Sequence, residues 1–173
     1  MAELPNLRDD AFWDVAAQEP LVAGREAGKL RKQRAYKERI ETRGRARALQ
    51  ALYAADMRDF TQLKRIAAQV FDDLSIVPEE RVFASALIAT VAEHGAALDA
   101  ALTAVTENWR FERLGAIERS VLRVAAAEFQ RGVAPVKVVL QEAVRLAERF
   151  GTERSARFVN GVLDAYARKL GKL

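Results

Sequence analysis

The sequence contains no cysteine and only one histidine, His94. Without cysteine the chain can form neither a disulfide framework nor a thiolate metal site. A single histidine leaves few ways to build an acid–base site, and no glycine-rich phosphate loop, GxSxG elbow, HExxH pair or EF-hand loop is present. The sequence therefore predicts no catalytic residues, no metal and no cofactor, and it argues against an enzyme.

Long uninterrupted apolar runs are also missing. The longest apolar tract, from residue 82 to residue 105, is broken by Glu93, His94 and Asp99, which favours a buried helix over a membrane span. The first residues carry neither the basic nor the apolar region of a signal peptide. We therefore expect a cytoplasmic protein with no membrane partner.

The composition of the chain favours α-helices. Half of its residues are apolar, and Ala, Leu, Arg and Glu dominate, while only nine glycines and four prolines occur. Apolar residues recur every three or four positions, and no segment alternates with period two over a useful length. The sequence predicts an all-α protein, a compact bundle of about seven helices.

The positive charge is concentrated in one block. Residues 25–47 contain ten Lys or Arg and three Glu, a net charge of +7, which leaves −3 for the rest of the chain. Binding of such a block to a polyphosphate is favoured by the release of counterions. A solvated basic tail without a partner is the alternative, and charge alone does not decide between the two.

Part of this block lies on a helix predicted over about residues 35–57. One broad face of that helix carries five apolar residues: Ala46, Leu49, Leu52, Tyr53 and Met57. Arg43 and Arg47 lie on the opposite side with Gln50, where we expect them to be free for a ligand. Arg45 falls nearer the apolar side, so it must either reach out to solvent or be met by a partner.

Binding of RNA requires cations for phosphates and flat groups for unstacked bases. Arg43, Arg45 and Arg47 are candidates for the first role. Tyr53 and Phe158 are candidates for the second, although their spacing alone favours core packing. The sequence pattern does not by itself bring them together.

Three stretches resemble the NusB family. The run EAVRLAERFGTE from residue 142, followed by Ser155 and by FVNGVLD from residue 158, resembles the family signature EAVELAKRFG…FVNGVLD. Residues 108–128 resemble its NW…RL…IERAILRLAxYE segment, and residues 43–53, RGRARALQALY, resemble its arginine-rich opening. The resemblance covers residues from about 36 to 170.

The resemblance implies a fold of two packed helical subdomains, about residues 35–105 and 106–173. Residues 1–34 show no sustained apolar period and are not part of the family pattern, and we expect them to form a basic, flexible extension. It implies a transcription antitermination factor that binds the boxA element of ribosomal RNA transcripts as single-stranded RNA. Such factors bind together with the ribosomal protein NusE. With other Nus factors they support read-through by the RNA polymerase elongation complex.

The resemblance and the basic block together indicate candidate contact residues. Those expected to bind RNA are Lys37, Arg39, Arg43, Arg45, Arg47, Tyr53, Arg154 and Phe158. Those expected to contact the protein partner are Glu118, Arg123 and Tyr53. Arg154 stands where the family usually carries Asp, so it would either attract phosphate or weaken a polar contact with the partner.

Two alternatives stay open. One is an RNA-binding accessory domain related to that fused to RNA cytosine methyltransferases, although the chain has no Rossmann unit and no catalytic cysteine. The other is a helical scaffold that self-associates, for example as a homodimer.

Overall fold

The computed structural model describes residues 25–106 and 109–173. This part of the chain forms six α-helices: α1 Arg25–Met57, α2 Leu63–Asp73, α3 Pro78–Thr103, α4 Ala116–Arg131, α5 Val136–Phe150 and α6 Glu153–Lys169. Short 3-10 turns at Phe60–Gln62 and Phe111–Arg113 precede α2 and α4. The all-α prediction is confirmed, with six helices in the described residues where about seven were expected.

Helix α1 begins about ten residues before the predicted start at residue 35. Residues 29–39 are exposed apart from Ala35, so no apolar period marks them as helical in the sequence. Residues 25–34 therefore belong to a helix, which corrects the prediction of a flexible extension for that part. The remainder of the predicted extension, residues 1–24, lies outside the described residues.

The apolar residues of all six helices pack into one core. Helix α4 lies at its centre, because every residue from Ser120 to Phe129 is buried and the helix contacts α1, α3, α5 and α6. On α1 the apolar face runs from Ala46 through Ala55, whereas Met57 ends the helix with an exposed side chain, contrary to its predicted core position. The division into two subdomains near residue 105 stays a prediction.

Helix α3 is long and apolar enough to cross a membrane by length and composition alone. It packs against α1, α2, α4 and α6, and its buried positions include Leu87, Val91, Leu98 and Leu102. The contacts support the prediction of a core helix for this tract.

The helix ends follow local signals in the sequence. Pro78 occupies the first turn of α3, and Gly132 ends α4 in the left-handed region with φ 64°. Thr152 caps α6 through a capping box, in which its side chain accepts from the backbone N–H of Ser155 and the Ser155 hydroxyl accepts from the backbone N–H of Thr152. These signals fix where α6 starts.

Gly44 allows α1 to approach α3 closely. A Cβ atom at position 44 would lie 2.6 Å from Cδ1 of Phe83, well inside van der Waals contact. Phe83 packs against the core and also lies under the guanidinium of Arg45, at 5.2 Å from ring centre to Cζ. The Phe83 ring therefore has little room to move away.

We expect Gly44→Ala to lower the free energy of unfolding by about 1–3 kcal/mol, because the added methyl overpacks the contact with Phe83. Gly161→Ala is the control, since it lies in α6 with no atom near its added Cβ, and it should raise stability by up to about 1 kcal/mol. Chemical denaturation measures both. Equal effects of the two substitutions would contradict the close approach.

Candidate nucleic-acid and partner interface

Arg45 is inside the bundle. Only 2% of the residue is exposed, and its guanidinium binds the carboxylate of Glu128 on α4 with two hydrogen bonds of 2.8 and 2.7 Å. A second carboxylate, that of Glu142 on α5, lies 3.7 Å away and accepts a hydrogen bond of 2.7 Å from Thr42. Arg45 thus connects α1 to α4 and α5 through a paired, buried charge.

Burial alone lowers the pKa of Arg45, but the hydrogen bond and negative charge of Glu128 outweigh it and raise the pKa. The guanidinium therefore stays charged inside the protein. A buried charge of this kind needs its carboxylate partners, because desolvation without them is costly.

Arg47 and Arg43 both face Glu80 in the first turn of α3. The Nε of Arg47 donates to Glu80 at 3.2 Å, and Nη1 of Arg43 lies 3.5 Å from the other carboxylate oxygen. Arg47 is buried, as are Glu80 and Gln50, whereas the Arg43 side chain is 23% exposed. Helix α3 therefore covers the face that the sequence pattern left open.

The prediction that Arg43, Arg47 and Gln50 form a stripe free for a ligand is wrong for Arg47 and Gln50. Arg45 and Arg47 are also corrected as candidate RNA contacts, because both guanidinium groups are enclosed by protein carboxylates. For Arg45 the sequence left two possibilities, solvent or a partner. The structure shows a partner, and it is Glu128 of the same chain. Arg43 alone of the three reaches the edge of the bundle.

Arg123, expected at the partner interface, is also buried. Its guanidinium binds Asp99 of α3 at 2.9 and 2.8 Å and Asp56 of α1 at 3.4 Å. It lies 4.3 Å from the ring centre of Phe60 and 5.2 Å from that of Phe111. We therefore correct Arg123 from a partner contact to a residue that joins α1, α3 and α4.

The pKa of Arg123 follows the same balance as that of Arg45. Burial lowers it, and the hydrogen bond and charge of Asp99, with a further contribution from Asp56, raise it overall. A charged guanidinium in this position links the middle of α4 to the C-terminal parts of α1 and α3.

Glu118 joins the start of α4 to the start of α6. Its half-buried carboxylate accepts a hydrogen bond from the hydroxyl of Ser155, the residue that completes the capping box of α6. The contact fixes the orientation of the first turn of α6. Arg154, in that same turn, is exposed.

A cation and two aromatic rings occupy the surface at the start of α6, which we call the α6 edge: Arg154, Phe158 and Trp109. Arg154 and Phe158 are four residues apart and so lie on one side of the helix. The Phe158 ring, half-buried, meets Trp109 edge to face with 6.3 Å between ring centres. Both line a shallow cleft of about 270 Å³. This arrangement offers a positive charge beside partly open ring surfaces.

Trp109 is a residue whose role the sequence pattern does not indicate. The aromatic residues after position 108 predict a connector anchored in the core, which is correct for the buried Phe111. Trp109 is 59% exposed instead, and Asn108 lies outside the described residues. An aromatic residue in a short connector gives no periodicity from which its direction could be read.

The remaining candidate residues lie on α1. Lys37 and Arg39 are exposed on its outer half, where Lys37 lies 3.7 Å from Glu41. Tyr53 is half-buried on the inner half. Lys37 and Arg39 are therefore accessible to a ligand, and Tyr53 is accessible in part.

These features define a class of protein, a helical binding module with exposed cations and aromatic rings. The model of the NusB family matches residues 42–168. The transcription antitermination protein NusB of Anaeromyxobacter dehalogenans is 44% identical over 135 residues, covering 73% of this chain and 89% of that protein. The chain belongs to the NusB family. It is a non-enzymatic antitermination factor, as the sequence predicted.

Solved structures agree with this assignment. T. maritima NusB superposes with a TM-score of 0.69 and 30% sequence identity over 75% of this chain and 91% of that one. A structure of the antitermination factors NusB and NusE in complex with double-stranded RNA matches with a TM-score of 0.69 and 27% identity, covering 76% and 98% of the two chains. The fold is therefore the NusB fold.

We expect Glu128→Gln to lower the free energy of unfolding by about 3 kcal/mol, because it leaves the buried Arg45 without its main counter-charge. Glu148→Gln removes an exposed carboxylate from α5 and should stay within about 0.5 kcal/mol of the wild type. Urea denaturation compares the two variants. A Glu128→Gln protein as stable as the control would show that the pair does not hold the bundle together.

Proposed function

We propose that this protein binds the boxA element of ribosomal RNA transcripts as single-stranded RNA, together with the ribosomal protein NusE. In this proposal the complex acts in the cytoplasm with other Nus factors and lets the RNA polymerase elongation complex read through terminators. Membership of the NusB family supports the antitermination role. The related structure of NusB with NusE and RNA supports the choice of partners.

The main structural support for the proposal is the α6 edge, with its exposed cation and two aromatic rings. Arg154 occupies the first turn of a helix, where the macrodipole disfavours a cation, so its charge does not stabilise α6. An anion at this place would be attracted both by Arg154 and by the helix dipole. Phe158 and Trp109 supply flat groups beside it for unstacked bases.

On α1 the proposal retains the cations that are accessible. Lys37, Arg39 and the partly exposed Arg43 are our candidates for phosphate contacts. Arg45 and Arg47 are left out, because binding RNA through them would first require breaking buried ion pairs. Tyr53 and Glu118 remain candidates for the contact with NusE, and Tyr53 also for RNA.

The proposal predicts that Arg154→Gln reduces the salt dependence of RNA binding. Loss of one phosphate contact lowers the slope of log K against log salt by about 0.7 for a single strand. Lys169→Gln is the matched control, since it removes one exposed cation from the opposite end of the same helix. Equal slopes for the two variants would contradict a phosphate contact at Arg154.

The same titration tests the RNA and the partner. Fluorescence anisotropy with boxA, scrambled single-stranded and double-stranded RNA, each with and without NusE, should give tightest binding to boxA with NusE present. Phe158→Ala should weaken binding to boxA by about 1–3 kcal/mol, roughly 5- to 150-fold, if a base stacks on the ring. Binding that ignores both the RNA sequence and NusE would overturn the proposal.

A further inference from the structure

The outer half of α1 projects from the bundle. Residues 29–34 and 36–39 are exposed, and burial becomes complete only from Gly44 onward. We call residues 28–41 the arm. The match to the NusB family begins at residue 42, so the arm lies outside the part of the chain that the family shares.

Three of the six cations of the arm lie along one face of the helix, in line with Tyr36 and with Arg43 just beyond the arm. Lys29, Lys32, Tyr36, Arg39 and Arg43 follow one another at spacings of three, four, three and four residues, which places them in one line on an α-helix. We call this line the basic stripe. It spans 14 residue steps and therefore about 21 Å of helix. Tyr36 stands in its middle with 55% of its surface exposed.

Neither acidic residue of the arm itself lies on the basic stripe. The two acidic residues of the arm, Glu38 and Glu41, lie on other faces of the helix and pair there with Arg34 at 3.0 Å and Lys37 at 3.7 Å. The other faces of the arm carry three cations, Arg31, Arg34 and Lys37, against these two carboxylates, a net charge of +1, whereas the residues of the stripe itself include no acid. Its inner end, Arg43, reaches the bundle beside Glu80.

We propose that the basic stripe binds the phosphate backbone of single-stranded RNA that continues beyond the segment held by the bundle. A line of cations with an exposed aromatic ring among them matches what a single strand offers, namely regularly spaced phosphates and bases that stack. This inference rests on the proposed function and extends it from the boxA core to a longer RNA.

The arm does not have the features of a protein-docking helix. Its two exposed large apolar residues, Leu30 and Tyr36, are six positions apart and point to different faces, so they form no apolar seam. A second copy of the arm would bring like charges together along the stripe, which is unfavourable. Charge complementarity therefore favours a polyanion over a protein helix or a second copy as the ligand of the arm.

The test compares two double variants that remove the same charge from the arm. Lys29→Gln with Lys32→Gln removes two cations from the basic stripe, and Arg31→Gln with Arg34→Gln removes two from other faces. Glutamine is as good a helix former as lysine or arginine, so the arm should stay helical, which circular dichroism checks. Each full-length protein, with NusE, is titrated with a boxA oligonucleotide and with the same oligonucleotide extended by unstructured nucleotides.

We expect the wild type to bind the extended RNA more tightly than the core. The Lys29/Lys32 variant should lose this gain, and its slope of log K against log salt on the extended RNA should fall by about 1.4, or 0.7 for each contact. Its binding to the core oligonucleotide should not change. The Arg31/Arg34 variant should keep most of the gain.

Other outcomes separate the two proposals. Equal losses in both double variants, or no gain from the extension in the wild type, would overturn the role of the basic stripe while core binding still supports the proposed function. Failure of the wild type to bind either RNA would overturn both. Self-association through the arm, detected by sedimentation of the wild type and abolished in the Lys29/Lys32 variant, would replace RNA with a second copy as its occupant.

Discussion

The buried carboxylates of Glu80 and Glu128 determine which cations of α1 form internal ion pairs. Where α1 runs through the bundle, these two side chains enclose Arg47 and Arg45 and turn them into connections between helices. Where α1 leaves the bundle, Lys29 and Lys32 of the basic stripe are exposed to solvent. Burial thus divides one continuous basic sequence into a structural half and a half available for binding.

Carboxylates also enclose a cation on the other side of the core. Arg123 is enclosed by Asp99, Asp56 and two aromatic rings, so a residue that resembles a surface cation in sequence holds three helices together. The carboxylate of Glu118 likewise has an internal role, because it accepts a hydrogen bond from Ser155 in the capping box of α6. Because these polar residues are used internally, the α6 edge is held in place, and its exposed side chains can bind without support of their own.

The sequence allowed the helical fold to be predicted because buried helices carry an apolar period, as α4 and α6 do. The exposed half of α1 carries none, so its start was placed about ten residues too late. The position of Arg45 near the apolar face showed that it needs solvent or a partner, but Glu128 lies 83 residues away, and spacing along the chain cannot pair them. The exposure of Trp109 depends likewise on how the connector folds over α6.

We expect Arg45 and Arg47 to remain inside the bundle when RNA is bound, while Arg39 at the surface responds. Nitrogen-15 NMR of the arginine Nε–H groups measures this directly. The Nε–H signals of Arg45 and Arg47 should exchange slowly with solvent and keep their chemical shifts on addition of boxA RNA with NusE, whereas the signal of Arg39 should shift. Fast exchange of the Arg45 signal, or a shift of it on addition of RNA as large as that of Arg39, would contradict the account.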